Sequence, residues 1–450
     1  MILVAQRLRP IVPMLRRSMM GKALDDMSWR FPGRRMRERL VLVGNGPAAM
    51  RTVEELLARE PDRYDIAVFG AEPRHAYNRI LLSSVLAGEK SADDIVTHDR
   101  AWHEERGIAL MAGDPIVTVD RAAQTVTAAS GLTMGYDKLL LATGSKPIAL
   151  PLPGLALPGV TAFRDMDDVD RMLAAIDGGR CAVVIGGGLL GLEAAWGLKR
   201  RGMAVTVVHL MPTLMERQLD ATAAGLLQRD LAARGIDFVT NAQTEEIIGD
   251  DRAEGVRLAD GREIAGDLVV MAVGTRPNID LARAIGLDIN RGVLVGDDMR
   301  SSDPLIYAVG ECVEHNGQTF GLVAPLWEQA KVCAAQLAGN WRAVYQPPPV
   351  YTSLKITGVD VFSAGVIAPA DEMDDLVTLS DAAAGVYRKL VLRGDRLVGC
   401  VLYGDVRDGP WYVELIQSGA STAPWREHLI FGRDAAEAAH DAALPAAAAA

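Results

Sequence analysis

Cysteine is scarce in this chain of 450 residues: there are four, Cys181, Cys312, Cys333 and Cys400, far apart and none before Cys181. The absence of a CxxC pair and of a Cys/His cluster argues against a disulfide framework, a zinc site and a complete protein-bound iron–sulfur site, and no metal is expected. The same usage fits a reducing cytoplasm. Long apolar runs are missing too. None approaches the roughly 18 residues that a membrane span requires, so no membrane partner is expected. Positive charge is in deficit, with a net charge of −11, which argues against nucleic acid as a partner. What is present, 49% hydrophobic and 23% charged residues, is ordinary for a globular protein. The length exceeds one core and predicts two to four domains.

Of seven histidines only His98 and His103 are close, and their spacing is poor for sharing a helix face, so both read as surface residues. Residues 1–35 differ from the rest, with eight Lys/Arg against two Asp. An arginine-rich lead suggests a targeting segment, and Arg16-Arg17 hints at a twin-arginine signal. No apolar core follows, and Met36 stands just before the first strand pattern. The reading here is a start codon assigned too far upstream, leaving residues 1–36 as an extension without function.

From Leu40 the pattern is "LVLVGNG", then "PAAMRTVEELLARE", then "YDIAVFGAE". Apolar runs alternating with helical periods predict βαβ units and a parallel sheet. Residues 115–141 read instead as a β-meander laid over that sheet. A second βαβ unit opens at Cys181 and further strands end at "DLVVMAVGTRPN". The "QPPP" at 346–349 marks a boundary. Beyond it come antiparallel strand patterns and a helix near 410–418. The final "AAEAAHDAALPAAAAA" is low-complexity and expected to lack structure. The fold class is therefore α/β, with two Rossmann-like dinucleotide-binding domains and a C-terminal α+β domain.

The glycines carry the chemistry. Gly44-Asn45-Gly46-Pro47-Ala48-Ala49 has the form GxGxxA between a strand and a helix. Its first glycine makes the turn, and its second lets backbone approach a pyrophosphate at the positive helix end. Glu72 closes the next strand, where an acid would hold a ribose hydroxyl pair. Gly186-Gly187-Gly188-Leu189-Leu190-Gly191 is a full GxGxxG in the same setting. There His209 stands where an acid would select NADH, and no arginine pair follows to grip a 2′-phosphate, although Arg217 lies on the next loop. NADH versus NADPH stays open on these residues, with NADH the expected preference. Two dinucleotides in one chain imply a relay, most naturally a flavin fed by a nicotinamide.

Several motifs then resemble, in order, those of the pyridine-nucleotide disulfide oxidoreductase superfamily, over roughly residues 37–430. "YDKLLLATGS" (136–145) resembles its second FAD motif and "IYAVGEC" (306–312) its third. More narrowly, "RLVLVGNG", "AYNRILLSSVLAGE", "HLMPTLMERQLD", "YAVGECVEH" and "FGLVAPLWEQAKV" resemble the N-terminal flavoprotein part of assimilatory NAD(P)H nitrite reductase large subunits. Free-standing reductases serving nitrate reductase, rubredoxin or ferredoxin are related. The resemblance implies an FAD-binding domain at 37–148 and 276–345, an NAD(P)H-binding domain at 149–275, a C-terminal domain at 346–432 and an alanine-rich tail at 433–450. It places Arg79 near the flavin phosphates, Glu193 near the nicotinamide and Trp327 beside the isoalloxazine. Ser83, Val117, Ala142, Thr143, Gly144, Gly274 and Glu311 join the cofactor-binding set. Glu311 is a methylene longer than the family's usual Asp, and Ser84 stands where related ferredoxin reductases have a lysine. The plainer alternatives are a surface ion pair for Arg79, a solvated helix position for Glu193 and core packing for Trp327.

Disulfide reductases of this kind need a cysteine pair early in the flavin domain, and peroxidases need one near Arg79–Ser84. Neither is present, so a flavin here would discharge directly to an outside acceptor. The chain ends before any cysteine-rich or sirohaem module, so it is not expected to reduce nitrite by itself. The expected partner is a redox protein, namely a nitrate or nitrite reductase, rubredoxin or ferredoxin, and the expected assembly is a monomer or loose homodimer. An NADH oxidase and a non-catalytic NADH sensor are the alternatives. Residues 350–432 are expected to cover the flavin and offer the docking surface, separately from the second glycine turn.

Overall fold

Leu40, Val41 and Leu42 are completely buried because the strand they form, Glu38–Val43, is covered on both faces, as interior parallel strands are. In the computed structural model, which describes residues 37–447 except 349–350, 355, 357, 370–373 and 382, this strand is central. It pairs in parallel with Tyr64–Gly70 on one side and Lys138–Leu141 on the other. Ile306–Ala308 and Ala109–Ala112 complete the five-stranded sheet at its two edges. Helix Pro47–Arg59 links the first two strands, and helix Val323–Leu337 packs against it. The expected meander is present as Ile116–Asp120, Thr125–Ala128 and Thr133–Gly135.

The second βαβ unit repeats the plan. Its parallel sheet runs Val160–Ala162, Leu268–Met271, Cys181–Ile185, Ala204–Val208, Ile236–Val239, so Cys181–Ile185 occupies the place that Glu38–Val43 has in the first. Helix Leu189–Arg200 follows it. A second small antiparallel sheet, Thr244–Ile248, Gly255–Leu258 and Glu263–Ala265, mirrors the first meander. The two units are joined by a two-stranded ribbon in which Ser145–Pro147 pairs with Thr275–Pro277.

Strands Tyr351–Ser353, Val361–Gly365, Asp374–Asp381, Val386–Arg393 and Arg396–Tyr403 form a five-stranded antiparallel sheet, and Val386–Arg393 and Arg396–Tyr403 bury residues on both of its faces. Leu390, Leu392, Cys400 and Leu402 share a core with Tyr412 of helix Gly409–Ser418. Tyr387, Val401 and Tyr403 face the other way, into a core with Leu219, Ala223, Leu227 and Leu231. These last belong to, or just precede, helix Ala221–Ala233 of the second βαβ unit. Tyr387 and Lys389 donate to Asp220 Oδ2 at 2.7 and 3.0 Å, and Tyr403 donates to Asp230 Oδ2 at 2.8 Å. The sheet expected to stand apart from the second dinucleotide unit thus shares an apolar core with it.

Two further expectations differ. The alanine-rich end is helical from Arg433 to Ala447, as alanine's helix propensity favours. His98 and His103 are buried. Each packs edge-on to Trp102, His98 Nε2 meets Glu54 at 3.0 Å, and His103 Nδ1 donates to Asp99 O at 2.7 Å. The basic lead at residues 1–36 lies outside the described residues.

Candidate dinucleotide sites

Both glycine turns are built in the same way. Gly44 and Gly186 have φ of +118° and +119°, where side-chain-bearing residues are strained. Their N–H groups donate to Phe69 O and Val208 O, each at 2.8 Å. A Cβ on Gly44 would stand 2.1 Å from Ala142 O, and one on Gly186 would stand 2.3 Å from Ala272 O. The neighbouring strand end thus excludes any side chain at either position. Gly46 and Gly188 cap the following helices, and apart from their immediate chain neighbours no protein atom lies within 4 Å of where their Cβ atoms would be. That open space lies at the positive end of a helix, where a pyrophosphate binds. Pro47 opens the first helix without sacrificing a needed N–H, and Ala48 is buried behind it. Gly191 is obligatory, since its Cβ would meet Gly186 O at 2.0 Å. Leu189 and Leu190 begin that helix.

Around the first turn the expected residues converge. Arg79 forms an ion pair with Glu72. Tyr77 donates to Glu72 Oε2 at 2.6 Å, and Arg79 also reaches Tyr77 Oη at 3.0 Å and Arg164 O at 3.2 Å. Burial pushes the Tyr77 hydroxyl well up, which keeps its proton on. Asn45 donates to Arg74 O at 3.3 Å. Asn45 Oδ1 and Ser83 Oγ are buried without a hydrogen-bond partner among the described residues, so polar capacity remains for a bound group. Thr143 donates to Asn278 O at 2.7 Å, and Gly144 has a φ of +66°. Glu311 accepts from Ser145 Oγ at 2.7 Å and pairs with Arg164. The turn that presents Glu311 is held by Gln329, which accepts from Gly310 N at 2.8 Å. Open space at Gly46, unused polar atoms and carboxylates at the ribose and third-motif positions fit an FAD.

At the second turn His209 is a buried part of the cradle. Its ring lies against Gly187, where a Cβ would fall 2.8 Å from it, and Nδ1 accepts from Gly187 N at 3.0 Å. Nε2 faces Thr213 O at 3.1 Å and Glu216 Oε2 at 3.2 Å. Glu193 is buried, rather than solvated as its plainer reading had it. Gly274 has a φ of +108° and begins the crossover into the ribbon. Val117 is an exposed strand residue, and Trp327 is 47% exposed instead of core. The Arg51 guanidinium stands 5.7 Å from the Trp327 ring centroid.

Sequence reasoning missed Tyr77, Arg164, Gln329 and Glu216. Tyr77, Gln329 and Glu216 stand inside the motifs already quoted. Arg164 reaches Glu311 across 147 positions, and nothing local announces it. Among the described residues no group of three His, Cys, Asp or Glu is placed to hold a metal. No helix there is long and apolar enough to cross a membrane.

Two parallel sheets of one plan, each with an open glycine turn at a helix end, define an oxidoreductase with two dinucleotide sites. Residues 38–336 match the pyridine nucleotide-disulphide oxidoreductase family, and the chain belongs to it. Residues 349–420 match the rubredoxin NAD+ reductase C-terminal domain. The chain is 50% identical over 384 residues to a nitrite reductase [NAD(P)H] of Bacillus subtilis, covering 85% of this chain and 48% of that protein. It is 45% identical over 372 residues to that organism's assimilatory nitrate reductase electron transfer subunit, covering 83% and 48%. The chain thus spans about half the length of these curated relatives. A ferredoxin reductase structure from Rhodopseudomonas palustris superposes with a TM-score of 0.78 at 26% identity, covering 86% of this chain and 96% of that one. Family membership implies binding of FAD and a pyridine nucleotide.

Proposed function

We propose that the chain oxidises NAD(P)H, with NADH preferred, and passes the electrons through FAD to a redox protein of nitrate or nitrite assimilation. The observation that carries this reading is the doubled glycine turn, open at both Gly46 and Gly188. Gly44, Asn45, Gly46, Glu72, Arg79, Thr143, Gly144 and Glu311 would hold FAD. The Gly186–Gly191 turn would receive the nicotinamide nucleotide, with Glu193 buried on the helix behind it. FAD, when bound, supplies the chemistry that accepts a hydride and releases electrons singly. The protein's part is positioning and exclusion of water.

The cysteines support direct discharge to an outside acceptor. Burial raises the Cys312 and Cys333 thiols and pushes Cys400 up to about 12, so these thiols are protonated and unsuited to a sulfur relay. Exposed Trp327 would sit near the exit, and the acceptor would be a nitrate or nitrite reductase component, a rubredoxin or a ferredoxin. The names of these relatives, at 50% and 45% identity, favour the assimilatory partners. The chain would work in the cytoplasm as a monomer or loose dimer.

The test is anaerobic mixing of the FAD-loaded protein with NADH, followed through the flavin's visible absorbance. Rapid bleaching, reversed by ferricyanide or a redox-protein acceptor, is expected. No bleaching with either nicotinamide overturns the reading. Oxygen uptake far faster than acceptor reduction would assign the chain to an oxidase instead.

A further inference from the structure

The strand that ends at Val208 delivers His209, not a carboxylate, to the edge of the second glycine turn. A histidine there does not by itself reject a 2′-phosphate. The structure nevertheless brings a carboxylate to this edge from seven residues further on. The loop after His209 folds back onto the turn, where Met215 N donates to Gly187 O at 3.0 Å. Leu214 is fully buried with its side chain against Gly187. Met215 is also fully buried and holds a φ of +50°, a left-handed conformation that an unbranched L-residue adopts only when its surroundings impose it. The next residue is Glu216.

His209 explains what that strained turn achieves. Because Nδ1 accepts from the Gly187 N–H, the ring proton of neutral His209 must sit on Nε2. That proton points at Thr213 O and at the Glu216 carboxylate, 3.2 Å away. One imidazole therefore bridges the backbone of the phosphate-binding turn and the carboxylate. Glu216 remains about a third exposed, so its charge is available to a ligand lying on the turn. Arg217, the neighbouring cation, is exposed and has no contact of this kind with the turn.

We propose that Glu216, positioned by His209 and the Leu214–Met215 fold-back, is the nucleotide-specificity residue of this site. Its carboxylate replaces the missing strand-end acid and disfavours a 2′-phosphate by like-charge repulsion, so NADH is favoured over NADPH. This rests on the reading of the Gly186–Gly191 turn as the nicotinamide nucleotide site.

The experiment uses the full-length FAD-loaded protein and measures equilibrium binding of NAD+ and NADP+ by calorimetry, alongside kcat/KM for NADH and NADPH. Wild-type protein should favour the non-phosphorylated nucleotide. Glu216→Gln keeps the shape and can still accept from His209, but removes the charge. It should improve NADP+ affinity and NADPH kcat/KM by about tenfold, so that the NADH/NADPH ratio falls. In that background His209→Glu, which restores a strand-end acid able to accept from Gly187 N–H, should return the preference toward NADH. A shift of the NADH/NADPH ratio by threefold or more toward NADPH in Glu216→Gln supports the assignment. A smaller shift, or a wild-type preference for NADPH, overturns it while leaving the nucleotide site itself intact. If neither nucleotide binds wild-type protein, the underlying reading of the site fails as well.

Discussion

Gly44 and Gly186 have nearly identical surroundings, yet the proposed function gives them different ligands. Each has a positive φ and a carbonyl oxygen, of Ala142 or Ala272, where a methyl would have to go. Gly44→Ala should therefore give protein with at least a tenfold loss of FAD affinity, and Gly186→Ala protein that keeps its flavin but binds NAD+ at least tenfold more weakly. Flavin content after purification and calorimetric NAD+ titration would separate the two. Equal loss of both ligands in both variants would contradict two independent sites. At this scale the glycines were legible from spacing alone, because a turn that excludes Cβ leaves a mark in the sequence. Partnerships such as Arg164 with Glu311 or Tyr77 with Glu72 were not. They depend on tertiary approach, and any surface Arg or Tyr looks alike in one dimension. His98 and His103 were misplaced for the same reason: their burial is created by Trp102 and Glu54, not by helical spacing.

Among the elements, helix Ala221–Ala233 holds the joint between the second βαβ unit and the C-terminal sheet. Asp220 is its N-cap and accepts from Ala223 N at 3.0 Å. Burial pushes the Asp220 carboxyl up, but the Ala223 N–H, the Tyr387 hydroxyl and the Lys389 ammonium outweigh this and hold it below the ordinary carboxylate range. Asn caps a helix as well as Asp does, so with its oxygen kept on Ala223 N, Asp220→Asn removes the charge and turns the atom that accepts from Tyr387 and Lys389 into an N–H donor. Lys389 would then be buried without its counter-ion, at a cost of about 3 kcal/mol. The sign with pH follows from the lowered folded-state value. The carboxylate's contribution is fully present above the unfolded Asp pKa of about 3.9 and is lost as pH falls through the folded value. Urea unfolding should show wild type more stable than Asp220→Asn by a constant margin near neutrality, shrinking below about pH 4. A margin that does not change with pH would assign the effect to packing. The strands and helices themselves were legible here, from the alternation in 386–403 to the helix before Gly419. Which neighbour the sheet's second face would meet was not, since Tyr387, Val401 and Tyr403 suit any apolar surface.

For the molecule as a whole, the shared core decides what removing the C-terminal sheet would do. The sequence suggested a separable cover whose loss impairs acceptor reduction more than nicotinamide binding. In the structure, truncation at Gln346 would strip Tyr387, Val401 and Tyr403 from Leu219, Leu227 and Leu231, which are at most 2% exposed. It would also remove both side-chain partners of Asp220. Burying a leucine contributes roughly 1.5–3 kcal/mol, so uncovering three costs a large fraction of the 5–15 kcal/mol typical of a whole domain. Helix Ala221–Ala233 follows directly on the loop that carries Glu216 and Met215. Loosening that helix therefore loosens the fold-back onto Gly187. The chain shortened at Gln346 should melt at least 5 °C below the full chain and bind NAD+ at least tenfold more weakly, while FAD, which the proposed function assigns to the first sheet, is retained better. Scanning calorimetry with flavin release and NAD+ titration on the same samples would show this. A shortened chain that melts within about 2 °C of the full chain and binds NAD+ unchanged would restore the sheet to the role of a detachable cover.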